Sequence, residues 1–262
     1  MTRWPVLLMS LLAAPAAFAA SGGPDTVGYR WVDSGDQDGP SIADWQDAWT
    51  SGRAVIDDDD AFLEDDGRVP DQVTDLKFAF PYYGASYDSV TIYDNGFISL
   101  EGHTNGMNTE FSGRRLPDNN PPHGIIAPAW ADWNSGANRN SGVWVTSTEE
   151  AYVVVWRAPY YGRNQTNEVA LKLTPDGEIV FYYKTLNGNL ATTSQNISAG
   201  IESQDSQAGL NYYWGDLDDV PTPSTALRRA ALRLAALRGP RGHAQHEQLP
   251  HLPLVPGEGA QD

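Results

Sequence analysis

The sequence predicts an all-β protein, an antiparallel two-sheet β-sandwich that ends in a short C-terminal tail of low order. From Leu76 onward, short apolar runs recur between turn-forming residues, which is the pattern of strands. Asn95-Gly96 and Pro175-Asp176-Gly177 stand between such runs, and both are sequences of tight turns. Residues 70–224 contain no helical apolar period of useful length, and the size of the domain favours two packed sheets.

Residues 1–19 have the three parts of a secretory signal peptide. Arg3 gives a positive start, Trp4 to Leu12 is apolar, and Ala17-Phe18-Ala19 is a small-x-small cleavage site. The apolar run is shorter than the ~20 residues that cross a bilayer, and without cysteine no lipoprotein anchor can form. We therefore expect a protein that is secreted or held at the cell surface after cleavage near Ala19/Ala20.

Residues 20–75 form an acidic N-terminal segment that we expect to pack on the main domain, with one strand at 29–33. Carboxylates at alternate positions can converge on calcium. The candidate ligands are Asp36, Asp38, Asp57 and Asp59. Their spacing does not satisfy an EF-hand loop, so we expect solvated acidic loops and no cofactor, with calcium as the alternative.

The main domain is predicted over residues 76–224, and its first strands surround the Asn95-Gly96 hairpin. These strands are expected at Leu76–Phe80, Ser89–Tyr93, Phe97–Leu100 and Ile125–Trp130. Pro128 interrupts the last of them. Because proline cannot donate a ladder hydrogen bond, it indicates an edge strand or a bulge.

The second half of the domain predicts an antiparallel meander with two further strands. The strands are expected at Val143–Val145, Tyr152–Trp156, Val169–Leu173, Glu178–Tyr183, Ile197–Glu202 and Leu210–Trp214. Both alternating faces of Tyr152–Trp156 are apolar. This strand should therefore lie centrally, with both of its faces covered.

Residues 225–262 break the pattern and are predicted to be a basic, helix-prone or disordered tail. Ala226–Arg238 is rich in Ala, Leu and Arg, yet its arginines spread around the helix circumference instead of forming one polar face. The tail holds five Lys/Arg against three Asp/Glu, unlike the acidic remainder. A degraded surface-sorting segment and a shifted reading frame are the alternatives for it.

Charge, cysteine content and motifs exclude several functions. The net formal charge of −17 at pH 7 repels phosphate backbones, so nucleic acid is not an expected partner. The absence of cysteine excludes disulfide scaffolds, thiolate metal sites and cysteine nucleophiles. The sequence also lacks a G-x-S-x-G elbow, a phosphate-binding loop and a dinucleotide fingerprint. We therefore do not expect an enzyme.

Loop aromatics are the main candidates for ligand contacts, because such rings stack on sugars and anchor protein partners. With one neighbouring carboxylate, the candidates are Tyr82, Trp130, Asp132, Trp133, Tyr160 and Tyr161. In each adjacent pair of rings, one is expected in the core, because neighbouring residues of a strand face opposite sides. The alternative function is a secreted, glycosidase-like hydrolase that pairs Asp132 with Glu168 or Glu178.

Six motifs follow one another in a characteristic order. They are Asn95–Leu100, Ile126–Asp132, Gly142–Val145, Val154–Trp156 with Tyr160-Tyr161, Leu171–Val180 and Ala199–Ile201. This series, over roughly residues 75–214, resembles the nidogen-like (NIDO) extracellular domain and its bacterial secreted relatives. Leu100 and Ala129 stand where that family has phenylalanine. The resemblance implies a non-catalytic module of adhesion and cell-surface proteins, with an extracellular protein or glycan as its partner.

Overall fold

The computed structural model describes residues 21–34, 39–41, 51–56, 74–101, 111–186, 196–216 and 230–236, which form fourteen strands. In chain order these are β1 Ser21–Gly22, β2 Tyr29–Asp33, β3 Arg53–Ile56, β4 Thr74–Tyr82, β5 Ala85–Tyr93, β6 Phe97–Ser99, β7 Ile125–Trp130, β8 Gly142–Ser147, β9 Tyr152–Pro159, β10 Thr166–Leu173, β11 Ile179–Thr185, β12 Asn196–Glu202, β13 Gly209–Asp216 and β14 Ala230–Ala236. The predicted signal peptide lies outside the described residues.

The strands form two antiparallel sheets. One has eight strands in the order β1-β2-β14-β11-β10-β9-β8-β3, and the other has six in the order β13-β12-β7-β6-β5-β4. The predicted all-β sandwich is therefore confirmed. β9 lies between β10 and β8, which is the central position that its apolar sequence predicts.

The main core lies between the two sheets. Tyr152, Val154 and Trp156 of β9 point into it, while the two intervening valines belong to a separate buried cluster on the other face of the same sheet. Hydrogen bonds from buried aromatic side chains also cross from sheet to sheet. Trp156 Nε1 donates to the carbonyl oxygen of Tyr93 at 2.7 Å, and Tyr183 Oη donates to that of Pro128 at 2.8 Å.

Pro128 occupies a central strand and not an edge. β7 pairs with β12 on one side and with β6 on the other. The register of the β12 pairing shifts between Ser198 and Gly200, which leaves Pro128 outside the ladder on that side. The bulge indicated by the sequence is present, whereas the edge position, its alternative, is wrong. A proline is tolerated in this central strand because the bulge removes the need for an amide donor at that residue.

Residues 111–124 cover the outer face of the six-stranded sheet. Phe97 there stacks between Tyr93 and Trp130, with ring centroids 4.3 and 4.4 Å apart. Leu116 packs in the same buried cluster. The side chain of Asn211 in β13 binds both the amide and the carbonyl oxygen of Leu116, which holds the covering segment to the sheet.

The predicted helix-prone tail is wrong at residues 230–236. These residues form β14, which pairs with β11 through Ile179↔Leu234 to Tyr183↔Ala230 and with β2 through Leu232↔Asp33 to Ala236↔Tyr29. The sequence Leu232-Arg233-Leu234 alternates with a period of two, as strands do. Two open strand edges therefore outweigh the helix propensity of Ala, Leu and Arg. The rest of the tail lies outside the described residues.

Candidate functional site

The Asn95-Gly96 turn organises one end of the sandwich. Asn95 Oδ1 accepts a hydrogen bond from the amide of Trp133 at 2.9 Å, and the carbonyl oxygen of Asn95 accepts one from Ala131 at 3.1 Å. Gly96 has a φ of 81°, and a Cβ at this position would lie 2.1 Å from the carbonyl oxygen of Ala129. The turn therefore needs glycine, and it fixes the chain that follows β7.

A short bridge between Trp133 and Tyr160 joins the two sheets at this end. The amide of Tyr161 donates to Asp132 O, and the amide of Asn134 donates to Pro159 O, both at 2.9 Å. The rings of Trp133 and Tyr160 meet edge to face with centroids 5.1 Å apart, and both are buried. Two loops thus begin from one rigid base.

We call the surface formed by residues 134–141 and 161–166 the loop face. Tyr161 is its large exposed side chain, with 56% of its surface accessible to solvent. The first loop is held by backbone hydrogen bonds from Ala137 to Asn134 O at 3.2 Å and from Ser141 to Asn138 O at 2.7 Å. The loop face is therefore an exposed tyrosine among polar side chains on an ordered backbone.

Three acidic side chains close to the loop face are buried. Asp94 and Asp132 are nearly inaccessible to solvent. Glu168 is also buried, and its carboxylate lies 2.7 Å from Lys184 Nζ and 3.4 Å from Arg157 Nε. The negative charge at the base is therefore largely withdrawn from the surface that a ligand would meet.

The six candidate ligand contacts occupy three different places. Asp132, Trp133 and Tyr160 form the buried base of the loop face, and Tyr161 is exposed on it. Trp130 lies on the outer face of the six-stranded sheet, with the Arg114 guanidinium 5.1 Å from its ring centroid. Tyr82 lies at the opposite end of the sandwich. Ligand binding by these residues stays a prediction.

Tyr82 has a structural environment of its own. Its hydroxyl is buried and lies 2.9 Å from the carbonyl oxygens of Ile125 and Glu202. Burial raises the pKa of this tyrosine well above its ordinary value. The hydroxyl therefore stays protonated and joins the end of β4 to β7 and β12.

The carboxylate pairs of the hydrolase alternative are not supported by this arrangement. Asp132 follows β7, whereas Glu178 precedes β11 beside the Pro175-Asp176-Gly177 turn, at the opposite end of the sandwich. A glycosidase needs its two carboxyl groups roughly 5–9.5 Å apart. Glu168 is at the same end as Asp132, but it is ion-paired with Lys184 and Arg157.

A second polar cluster, at the end that contains Tyr82, was missed from the sequence. His123 Nδ1 lies 2.6 Å from Ser206 Oγ and 3.2 Å from Glu202 Oε1. Glu202 Oε2 accepts a hydrogen bond from the amide of Asp118 at 2.6 Å. Burial raises the pKa of the Glu202 carboxyl, although hydrogen bonds from Asp118 and His123 oppose this in part.

This cluster differs from a catalytic Ser–His–acid triad. In a triad, the serine and the acid contact different nitrogens of the imidazole. Here Ser206 and Glu202 both contact Nδ1 of His123. The cluster fastens the segment 111–124 to the end of β12. No local sequence motif predicts this cluster, because His123 and Glu202 are 79 residues apart.

In the described part of the chain, no group of three or more His, Asp or Glu side chains could hold a metal ion. Asp36, Asp38, Asp57 and Asp59 lie outside that part, so calcium binding stays a prediction. Nor does the described part include a helix long and apolar enough to cross a bilayer.

Comparison with known families gives one finding. A family model described as "NIDO related" matches residues 41–232. The match begins before the motifs found in the sequence and ends at residue 232, so it includes the first three of the seven residues of β14, a strand that the sequence pattern did not predict. No match to this chain was found among curated proteins or among solved structures.

Proposed function

Because the chain belongs to the nidogen-related family, whose domains are of an extracellular, generally non-enzymatic type, we propose that it is a secreted or cell-surface binding module. Its role is adhesion or recognition, and its partner is an extracellular protein or glycan. Export follows cleavage of the signal peptide near Ala19/Ala20, and the short, Ala-rich form of that peptide is of a bacterial kind.

The loop face is the observation that carries this proposal. Tyr161 is 56% exposed, whereas its neighbour Tyr160 is buried against Trp133 in the base. Ordering this surface before a ligand arrives lowers the entropy that binding must overcome. Loops rich in Tyr, Ser, Gly and Asn, as in 134–141 and 161–166, are also typical of antibody paratopes. A rigid base with one exposed ring suits recognition better than catalysis.

The proposal is tested with the full-length chain on an array of glycans and of extracellular proteins. Tyr161→Ala should weaken binding by roughly tenfold or more, as loss of an interface aromatic does. Trp214→Ala is the matched control, since Trp214 is also exposed (44%) but lies in β13, outside the loop face. The control should bind as the unchanged chain does.

Two results would contradict the proposal. If Tyr161→Ala bound every ligand as well as the unchanged chain, the loop face would not be the binding site. If the chain hydrolysed a glycan and Asp132→Asn abolished turnover while the fold persisted, the protein would be an enzyme. Circular dichroism and thermal melting of each variant establish that the fold persists.

A further inference from the structure

The loop face is basic, although the protein is strongly acidic. The net formal charge of the chain is −17, yet residues 133–141 and 160–166 contain Arg139 and Arg163 and no Asp or Glu. The nearest acids in sequence, Asp132 and Glu168, are buried. A local surface of opposite sign attracts anions that the rest of the molecule repels.

Within the part of the chain that the structure describes, the two arginines are not paired with a carboxylate, unlike three other basic side chains. Arg114, Arg157 and Lys184 each lie within 4 Å of a carboxylate. Among the residues that the structure describes, Arg139 and Arg163 have no such carboxylate neighbour. Their charge therefore remains available to a ligand.

Enclosed donors on the loop face also need acceptors. Ser135 and Ser141 are each 1% exposed. Their hydroxyls and the enclosed Nε of Arg163 have no hydrogen-bond partner within the described ranges. Buried polar groups are nearly always hydrogen-bonded in native proteins, so these unused hydroxyl and guanidinium groups point to a polar ligand whose groups accept and donate hydrogen bonds.

We propose that the ligand of the loop face is an acidic saccharide, a sugar that carries a carboxylate. This inference deepens the proposed function and rests on it. The guanidinium of Arg163, with Arg139, would hold the carboxylate, since the planar guanidinium fork matches the two oxygens. Tyr161 would stack on the face of the sugar ring. Exposed amides line the same surface, at Asn138, Asn140, Asn164 and Gln165, and they suit hydroxyl groups.

An acidic protein surface fits the loop face less well. Protein interfaces have an apolar, aromatic-rich centre surrounded by a polar rim. The loop face exposes a single large ring, that of Tyr161, and its other exposed side chains are small, amide or basic. This composition favours a small polar ligand over a protein patch.

The test uses oligogalacturonate, a carboxylated sugar oligomer, and its fully methyl-esterified form, which keeps the rings and removes the charge. The full-length chain should bind the acid form and bind the ester much more weakly. Raising the salt from about 50 to about 500 mM should weaken binding of the acid form, because exposed charges are screened. Arg163→Gln and Arg139→Gln should each weaken it by roughly tenfold.

Controls separate this inference from the proposed function. Arg115→Gln removes an exposed arginine that lies on the segment covering the six-stranded sheet, outside the loop face, and it should bind as the unchanged chain does. Tyr161→Ala should weaken binding of both the acid and the ester, because it removes stacking and not charge.

Three outcomes would overturn the inference. Equal binding of acid and ester, with no effect of Arg163→Gln, would leave the binding function intact but make the ligand a neutral sugar. Capture of an acidic protein by the loop face, without saccharide binding, would make the partner a protein. If the chain bound no glycan and no protein, the proposed function would fail together with the inference.

Discussion

Gly96 shows how one residue sets the geometry of the loop face. Gly96 and Gly84 have the same φ, 81°, which is in the left-handed region that side chains rarely adopt. They differ in their surroundings. A Cβ on Gly96 would lie 2.1 Å from Ala129 O and 2.7 Å from Trp133 Nε1, whereas a Cβ on Gly84 would meet nothing within 4 Å.

We therefore predict that Gly96→Ala destabilises the protein far more than Gly84→Ala. The free energy of unfolding should fall by about 1 kcal/mol for Gly84→Ala, from backbone strain alone. For Gly96→Ala it should fall by roughly 2–4 kcal/mol, because β7 and Trp133 must also move. Urea unfolding followed by tryptophan fluorescence measures both. Equal losses would mean that the close approach at Gly96 does not constrain the turn.

At the scale of elements, local sequence patterns predict strands well and their long-range partners poorly. Asn95-Gly96 predicts the β5–β6 hairpin because the turn chemistry lies in adjacent residues. The bridge between Trp133 and Tyr160 is a contact between two chain segments, and the sequence of neither segment predicts that it pairs with the other. The same holds for His123 and Glu202. Candidate residues could be selected from sequence, but their grouping into one face could not.

β14 shows the opposite limit, in which local propensity gives the wrong element. Ala, Leu and Arg favour helices in isolation. The free edges of β2 and β11 exist only once the sheet is assembled, and they supply hydrogen bonds that no local pattern contains. Tertiary context therefore decided the state of residues 230–236.

Glu202 fastens the segment 111–124 to β12, and its contribution to the stability of the fold should depend on pH. Burial raises the folded-state pKa of this carboxyl above its ordinary value of 4.5. The folded protein thus holds the proton more tightly than the unfolded chain does. This contribution to stability is complete below pH 4.5 and is lost as the pH rises through the folded pKa.

We predict that Glu202→Gln removes this loss of stability with rising pH. The free energy of unfolding of the unchanged chain, relative to that of Glu202→Gln, should fall as the pH rises above 4.5. Asp205→Asn is the control in the neighbouring turn. Hydrogen bonds from Ser203 and Gln207 lower the pKa of Asp205, so its contribution is lost only as the pH falls below 3.8. A difference between the unchanged chain and Glu202→Gln that stayed constant with pH would contradict the prediction.

The stability of the whole molecule depends on strand pairing within the two sheets and on packing between them, because a chain without cysteine forms no disulfide bond. Packing between the sheets and the cross-sheet hydrogen bonds of Trp156 and Tyr183 join one layer to the other. Within the eight-stranded layer, β14 alone joins the β1–β2 pair to β11. Residues 230–236 are therefore part of the folded domain and not an appendage.

We predict that ending the chain at residue 229 lowers its thermal stability, whereas ending it at residue 238 does not. The shorter form loses the ladders on both sides of β14. At about 0.5–1.5 kcal/mol for each backbone hydrogen bond, its free energy of unfolding should fall by roughly 3 kcal/mol or more. The edges of β2 and β11 would also be exposed, so the shorter form should aggregate more readily.

Differential scanning calorimetry and light scattering compare the two forms. Equal melting temperatures would show that residues 230–236 do not hold the sheet together. A lower value for the shorter form alone would place β14 in the folded domain and argue against a shifted reading frame before residue 236.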